Sequence, residues 1–125
     1  MSNNQLIFVG TGLFFLFIFV FGYWLSHSGK PFNVIIFTVH KLLSVAAVVF
    51  LVIVIYKRNQ AIPLSAIELI VVVVTGLFFL GNITTGGLLS IAKPMPAVIL
   101  RLHQIIPYLT VLSTAVTLYL LLIRK

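Results

Sequence analysis

Four apolar runs, Leu6–Ser26, Val34–Tyr56, Ala66–Ile91 and Ala97–Ile123, leave this chain little choice of environment. The hydrocarbon core of a bilayer is about 30 Å thick and a helix rises about 1.5 Å per residue, so about 20 apolar residues cross it. The runs hold 21, 23, 26 and 27 residues, together 97 of the 125. Too little chain remains outside them for a soluble domain. The expected fold is all-α, a transmembrane four-helix up-down bundle forming a single domain over residues 1–125 in the lipid bilayer.

Charge supports the same environment. Only 7% of the residues are charged, against about 25% in ordinary soluble domains. The net charge of +7 is not a nucleic-acid signal, because its cations stand singly or in pairs near helix ends and form no basic stripe. Lys57, Arg58, Arg124 and Lys125 fall on one side of the membrane, Lys30 and Lys93 in the loops of the other. The positive-inside rule then predicts an integral plasma (inner) membrane protein with both termini cytoplasmic. No Lys or Arg precedes the first run and no A-x-A-like site follows it, so it reads as a permanent helix rather than a cleaved signal. The absence of cysteine excludes disulfides and thiolate-ligated metal.

The connections are short, and each carries turn chemistry. Gly29 and Pro31 end the first helix, Pro94 and Pro96 separate the third from the fourth. Ser65-x-x-Glu68 opens the third helix as a capping box. Trp24, Tyr23, Tyr56 and Tyr119 fall near helix ends, as interfacial aromatic belts do. No internal repeat is expected beyond the pairing of helices.

Polar residues inside such spans are costly and therefore informative. His40 lies six residues into the second helix and His103 six into the fourth. That puts each about 9 Å along helices that run in the same direction, at matched depth. Neutral imidazoles on facing helices are what the iron of a b-type haem takes as axial ligands. Gly22, Gly86 and Gly87 lie within one or two turns of the same membrane face. They have two readings: clearance for a flat porphyrin, or close helix packing through small residues.

Lys41 and Arg101 are the candidates for pairing with haem propionates; Lys30 and Lys93 read as interfacial anchors. Pro107 removes the helical hydrogen bond to the His103 carbonyl and favours a kink there. Thr110, Thr114 and Thr117 continue the His103 face, and their hydroxyls are expected to bond back to their own helix, as are those of Thr84 and Thr85. Asn82 is expected to bond to a neighbouring helix. His27, at the end of the first helix, suits the interface and the helix dipole.

In this pattern the chain resembles the haem-binding four-helix bundles of the cytochrome b and cytochrome b561 type, which carry histidine ligands on paired helices with glycines on the others. The resemblance implies haem b as cofactor, His40 and His103 as iron ligands, and electron transfer with quinone or a membrane redox complex, as a carrier or an oxidoreductase subunit. Oligomerisation is left open. Two-haem bundles place a second histidine about four turns further along each ligand helix. Ile53 or Val54 and Val116 or Thr117 stand there instead, so one haem is expected, which alone does not carry electrons across the membrane. A cofactor-free structural subunit and a small four-helix transporter are the competing functions. Transporters of that type rely on an acidic residue in the first helix, and none is there.

Overall fold

The computed structural model describes residues 2–28, 33–91 and 96–123. Gly29, Lys30, Pro31, Lys93, Pro94, Arg124 and Lys125, to which turn or charge roles are assigned above, lie outside the described residues. The protein is all-α. Its helices are α1 (Asn3–Ser28), α2 (Val34–Ala61), α3 (Ala66–Leu89) and α4 (Ala97–Leu118), the last continued by a π-helical turn over Tyr119–Ile123. Each of the four spans is long and apolar enough to cross a membrane.

Helix ends follow local chemistry more than hydropathy. Ser2 and Gln5 exchange side-chain bonds with each other's backbone N–H, at 3.2 and 2.9 Å, so α1 begins before its apolar run. Asn33 Oδ1 accepts from the N–H groups of Ile35 and Ile36 and starts α2. That helix runs past Tyr56 through Lys57, Arg58, Asn59 and Gln60, polar residues that a helix carries readily once clear of hydrocarbon. It stops at Ile62, whose extended backbone is what a following proline favours.

The expected capping box opens α3, with both Ser65–Glu68 bonds at 3.3 Å. Ser65→Ala should therefore cost about 1 kcal/mol. Glutamine can fill the Glu68 side of the box, so Glu68→Gln should cost much less. Unfolding in mixed detergent micelles measures both.

The chain forms two compact units, Met1–Ile62 and Pro63–Lys125. Each is one helical hairpin, α1 on α2 and α3 on α4. In the first, Phe14 meets Phe50 with ring centroids 5.7 Å apart, and Arg58 donates to Asn4 Oδ1 at 2.6 Å. Among its described residues the buried ones are Thr11, Leu25, Ala47, Leu51 and Val54. In the second they include Glu68, Thr75, Thr85, Thr110, Thr114 and Thr117.

Those two sets correct the expectation that no repeat exists. The hexapeptide Thr-Gly-Leu-Phe-Phe-Leu at Thr11–Leu16 recurs without change at Thr75–Leu80. Matching the first helices on that hexapeptide and the second helices on their histidines pairs Gly22 with Gly86, Ser26 with Ser90, Lys30-Pro31 with Lys93-Pro94 and Tyr56 with Tyr119. It also pairs buried positions with buried positions: Thr11 with Thr75, Ala47 with Thr110, Leu51 with Thr114, Val54 with Thr117. The hairpins are tandem copies of one unit.

Candidate functional site

Each copy seats its histidine on its glycine. A methyl group placed at Gly22 would sit 3.0 Å from His40 Cε1, and one at Gly86 would sit 3.0 Å from His103 Cε1. Both distances are tighter than most carbon contacts, so a side chain at either glycine would make the ring give way by a few tenths of an ångström. The reason for Gly22 is visible in the backbone. Within α1 the Gly22 N–H bonds to the Ile18 carbonyl, and that same carbonyl lies 3.0 Å from His40 Nδ1. With no Cβ on Gly22, the ring of α2 reaches a carbonyl that the α1 backbone already uses, through its second lone pair.

That contact fixes the tautomer. A carbonyl only accepts, so His40 Nδ1 carries the proton and the basic lone pair is on Nε2. In the second hairpin the residue equivalent to Ile18 is Asn82, and a hydroxyl intervenes. Thr85 Oγ1 donates to the Gly81 carbonyl at 2.8 Å and lies 3.2 Å from the Asn82 carbonyl. It also lies 2.9 Å from His103 Nδ1, a bond in which either atom can be the donor. In both copies Nδ1 is the ring nitrogen engaged by the neighbouring helix. An Nδ1–H held by a fixed acceptor is the usual support for a histidine that ligates a metal through Nε2.

The remaining candidates divide. Gly87 has nothing within 4 Å of where its Cβ would stand, so it seats neither ring. Lys41 is exposed, with Nζ 4.8 Å from the centroid of the Phe37 ring one turn back on α2. Arg101 is exposed on α4 while His103 is half-buried. The two stand two residues apart, which puts them on different faces of the helix. His27 is exposed, stacks on Tyr23 at 3.9 Å and lies 3.1 Å from that residue's carbonyl, as an interfacial histidine should. Pro107 lies inside α4, which continues through it. Its equivalent in the first hairpin, Ser44, donates to the His40 carbonyl at 2.8 Å, so in both copies the carbonyl of the histidine is treated specially. Among the described residues no group of three or more His, Cys, Asp and Glu side chains is arranged to hold a metal ion.

The buried threonines of α4 behave only partly as expected. Thr110 and Thr117 bond back to Ile106 and Ser113 carbonyls at 2.9 Å. Asn82 Nδ2 crosses to Thr110 Oγ1 at 2.8 Å, a helix-to-helix bond. Thr75 Oγ1 meets both Ser113 Oγ and Thr117 Oγ1, the latter at 3.1 Å. Thr114 Oγ1 makes no such bond.

The chain matches no protein-family model, no curated protein and no solved structure.

Proposed function

We propose that this protein is a membrane-bound b-type cytochrome, with one haem b ligated by His40 and His103, that exchanges electrons with quinone or a membrane redox partner. The observation that carries the reading is the duplication. Two copies of one hairpin have diverged widely, yet both keep a histidine seated on a glycine with Nδ1 bonded to the neighbouring helix. Packing alone does not demand this, since a half-buried imidazole costs free energy that an aliphatic residue would not. A pair of equivalent ligands, one from each copy, is what a six-coordinate haem iron needs.

The residues suit the group. Neutral imidazoles with a fixed tautomer are good axial ligands, and a haem held by two of them supplies one-electron transfer. The chain's own part is to hold each imidazole by its Nδ1 edge. Gly86 and Gly22 leave room for those rings, and Gly87, with open space before it, is the glycine available to border a porphyrin. Lys41 and Arg101 are the cations available for propionates.

The visible spectrum of protein purified from haem-replete cells tests the proposal. It should be that of a low-spin b-type haem, with one haem per chain by pyridine haemochrome. A colourless, folded protein would end this reading, and two haems per chain would end the single-site form of it. The proposed location is the plasma (inner) membrane with both termini cytoplasmic. Reporter fusions at the C-terminus should be active only in their cytoplasmic form.

A further inference from the structure

The two hairpins pack the same positions with different chemistry. Where the first buries Ala47, Leu51 and Val54, the second buries Thr110, Thr114 and Thr117. Ile18 and Phe21 are matched by Asn82 and Thr85, and Phe50 by Ser113. The polar residues of α3, Glu68, Thr75 and Asn82, recur every seven residues, as do His103, Thr110 and Thr117 of α4. Seven residues are two turns, so each set lies along one face. From Glu68 to Thr85 the seam runs about 25 Å, most of the roughly 30 Å hydrocarbon core. The apolar hairpin shows that packing α-helices in this geometry does not require the polar groups.

Polar side chains do hold membrane helices together, but in that role their hydrogen bonds close on each other. Here they do not. Thr114 is 2% exposed and its Oγ1 has no hydrogen-bond partner among the described residues, nor has Asn82 Oδ1. Thr114 stands between two bonded clusters, Asn82–Thr110 on one side and Thr75–Ser113–Thr117 on the other, and Asn82 Oδ1 borders it in the first. Buried oxygens of this kind are normally satisfied by water, which needs two to four polar partners in reach.

We infer that the second hairpin carries a hydrated proton path between Glu68 and the His103 site, which the first hairpin lacks. Glu68 is the mouth: the protein's single acid is 7% exposed at the first turn of α3. The hydroxyls of Thr75, Ser113, Thr117 and Thr110 with intervening water are the chain, and Thr85, bonded to His103 Nδ1, is its end. At rest Thr75, Thr85, Thr110 and Thr117 each donate to a carbonyl of their own helix, so a proton passes only as each hydroxyl turns from that carbonyl to the next water. What the protons serve rests on the haem reading; the path itself does not.

The chain has no cysteine, so a single substituted cysteine is the only thiol. In full-length protein in sealed liposomes, Thr110→Cys and Thr114→Cys are compared with the matched Ala47→Cys and Leu51→Cys. A small charged methanethiosulfonate should label the first pair at least tenfold faster than the second, and from the Glu68 side only. Because the thiolate is the reactive form, labelling of Thr110→Cys by a permeant maleimide should follow the pH of that same side. Glu68→Gln, which preserves the capping box, should slow that response. Equal labelling of matched pairs, or labelling from the opposite side, overturns the path. Hydroxyl-radical footprinting of the unsubstituted protein covers the case in which the cysteine variants misfold. Oxidation around Thr114 no greater than around Leu51 would overturn it equally. None of these readouts needs haem, so a colourless protein with a labelled seam defeats only the cytochrome reading.

Discussion

Alanine at Gly22 or Gly86 should destabilise its hairpin by about 1–3 kcal/mol, the usual cost of forcing a methyl group into filled space. The added Cβ would stand 3.0 Å from an imidazole carbon in each case. Neither ring can simply swing aside. Any shift stretches the bond of His40 to the Ile18 carbonyl or that of His103 to Thr85, weakening the hold on a half-buried ring. Alanine at Gly12 or Gly76 makes the control, because nothing lies within 4 Å of either added methyl. There the substitution should be neutral or stabilise by up to about 1 kcal/mol, through helix propensity alone. All four glycines are helical, so propensity cannot separate them; only the histidine contact can. Unfolding in mixed micelles gives the comparison. Equal effects at all four positions would mean that the rings are not held as described.

How much of this was legible beforehand differs from feature to feature. The four spans were, because a bilayer demands length and hydropathy and little else, and both can be counted along the chain. The box at Ser65 and Glu68 was legible because it is a contact three residues long. The helix ends at Asn3 and Ala61 were missed, since hydropathy reports where hydrocarbon stops and not where backbone hydrogen bonding stops. His40 and His103 stood out as imidazoles in apolar runs, and Gly22 and Gly86 as glycines near them. That each glycine faces the edge of its own hairpin's ring could not be read from one dimension. The Ile18 carbonyl was invisible in the same way, because any residue type at that position supplies it. The repeat was different. Thr11–Leu16 and Thr75–Leu80 are identical in sequence, and a self-comparison would have found them. With the copies aligned, the polar substitutions in α3 and α4 would have appeared as a departure confined to one hairpin.

Removing either histidine should have the largest effect of all. His40→Ala and His103→Ala should each abolish the low-spin b-type spectrum or convert it to high spin, because the proposed iron keeps two ligands only if both hairpins supply one. The two losses should be alike, since the copies hold their rings in equivalent ways. Thr85→Val then separates support from ligation. Valine keeps the shape of threonine and removes the hydroxyl bonded to His103 Nδ1, while the imidazole and its Nε2 remain. Loss of such a supporting bond typically costs 10–100-fold in metal affinity, so Thr85→Val should bind haem more weakly yet give a low-spin spectrum when haem is in excess. No side-chain substitution can do the same to His40, whose acceptor is the Ile18 backbone. Haem titration of the stripped protein, read in the Soret band, distinguishes the three variants. Both histidine variants keeping the wild-type spectrum would remove His40 and His103 as ligands. Thr85→Val behaving as His103→Ala would instead make the hydroxyl, and not the imidazole alone, indispensable to the site.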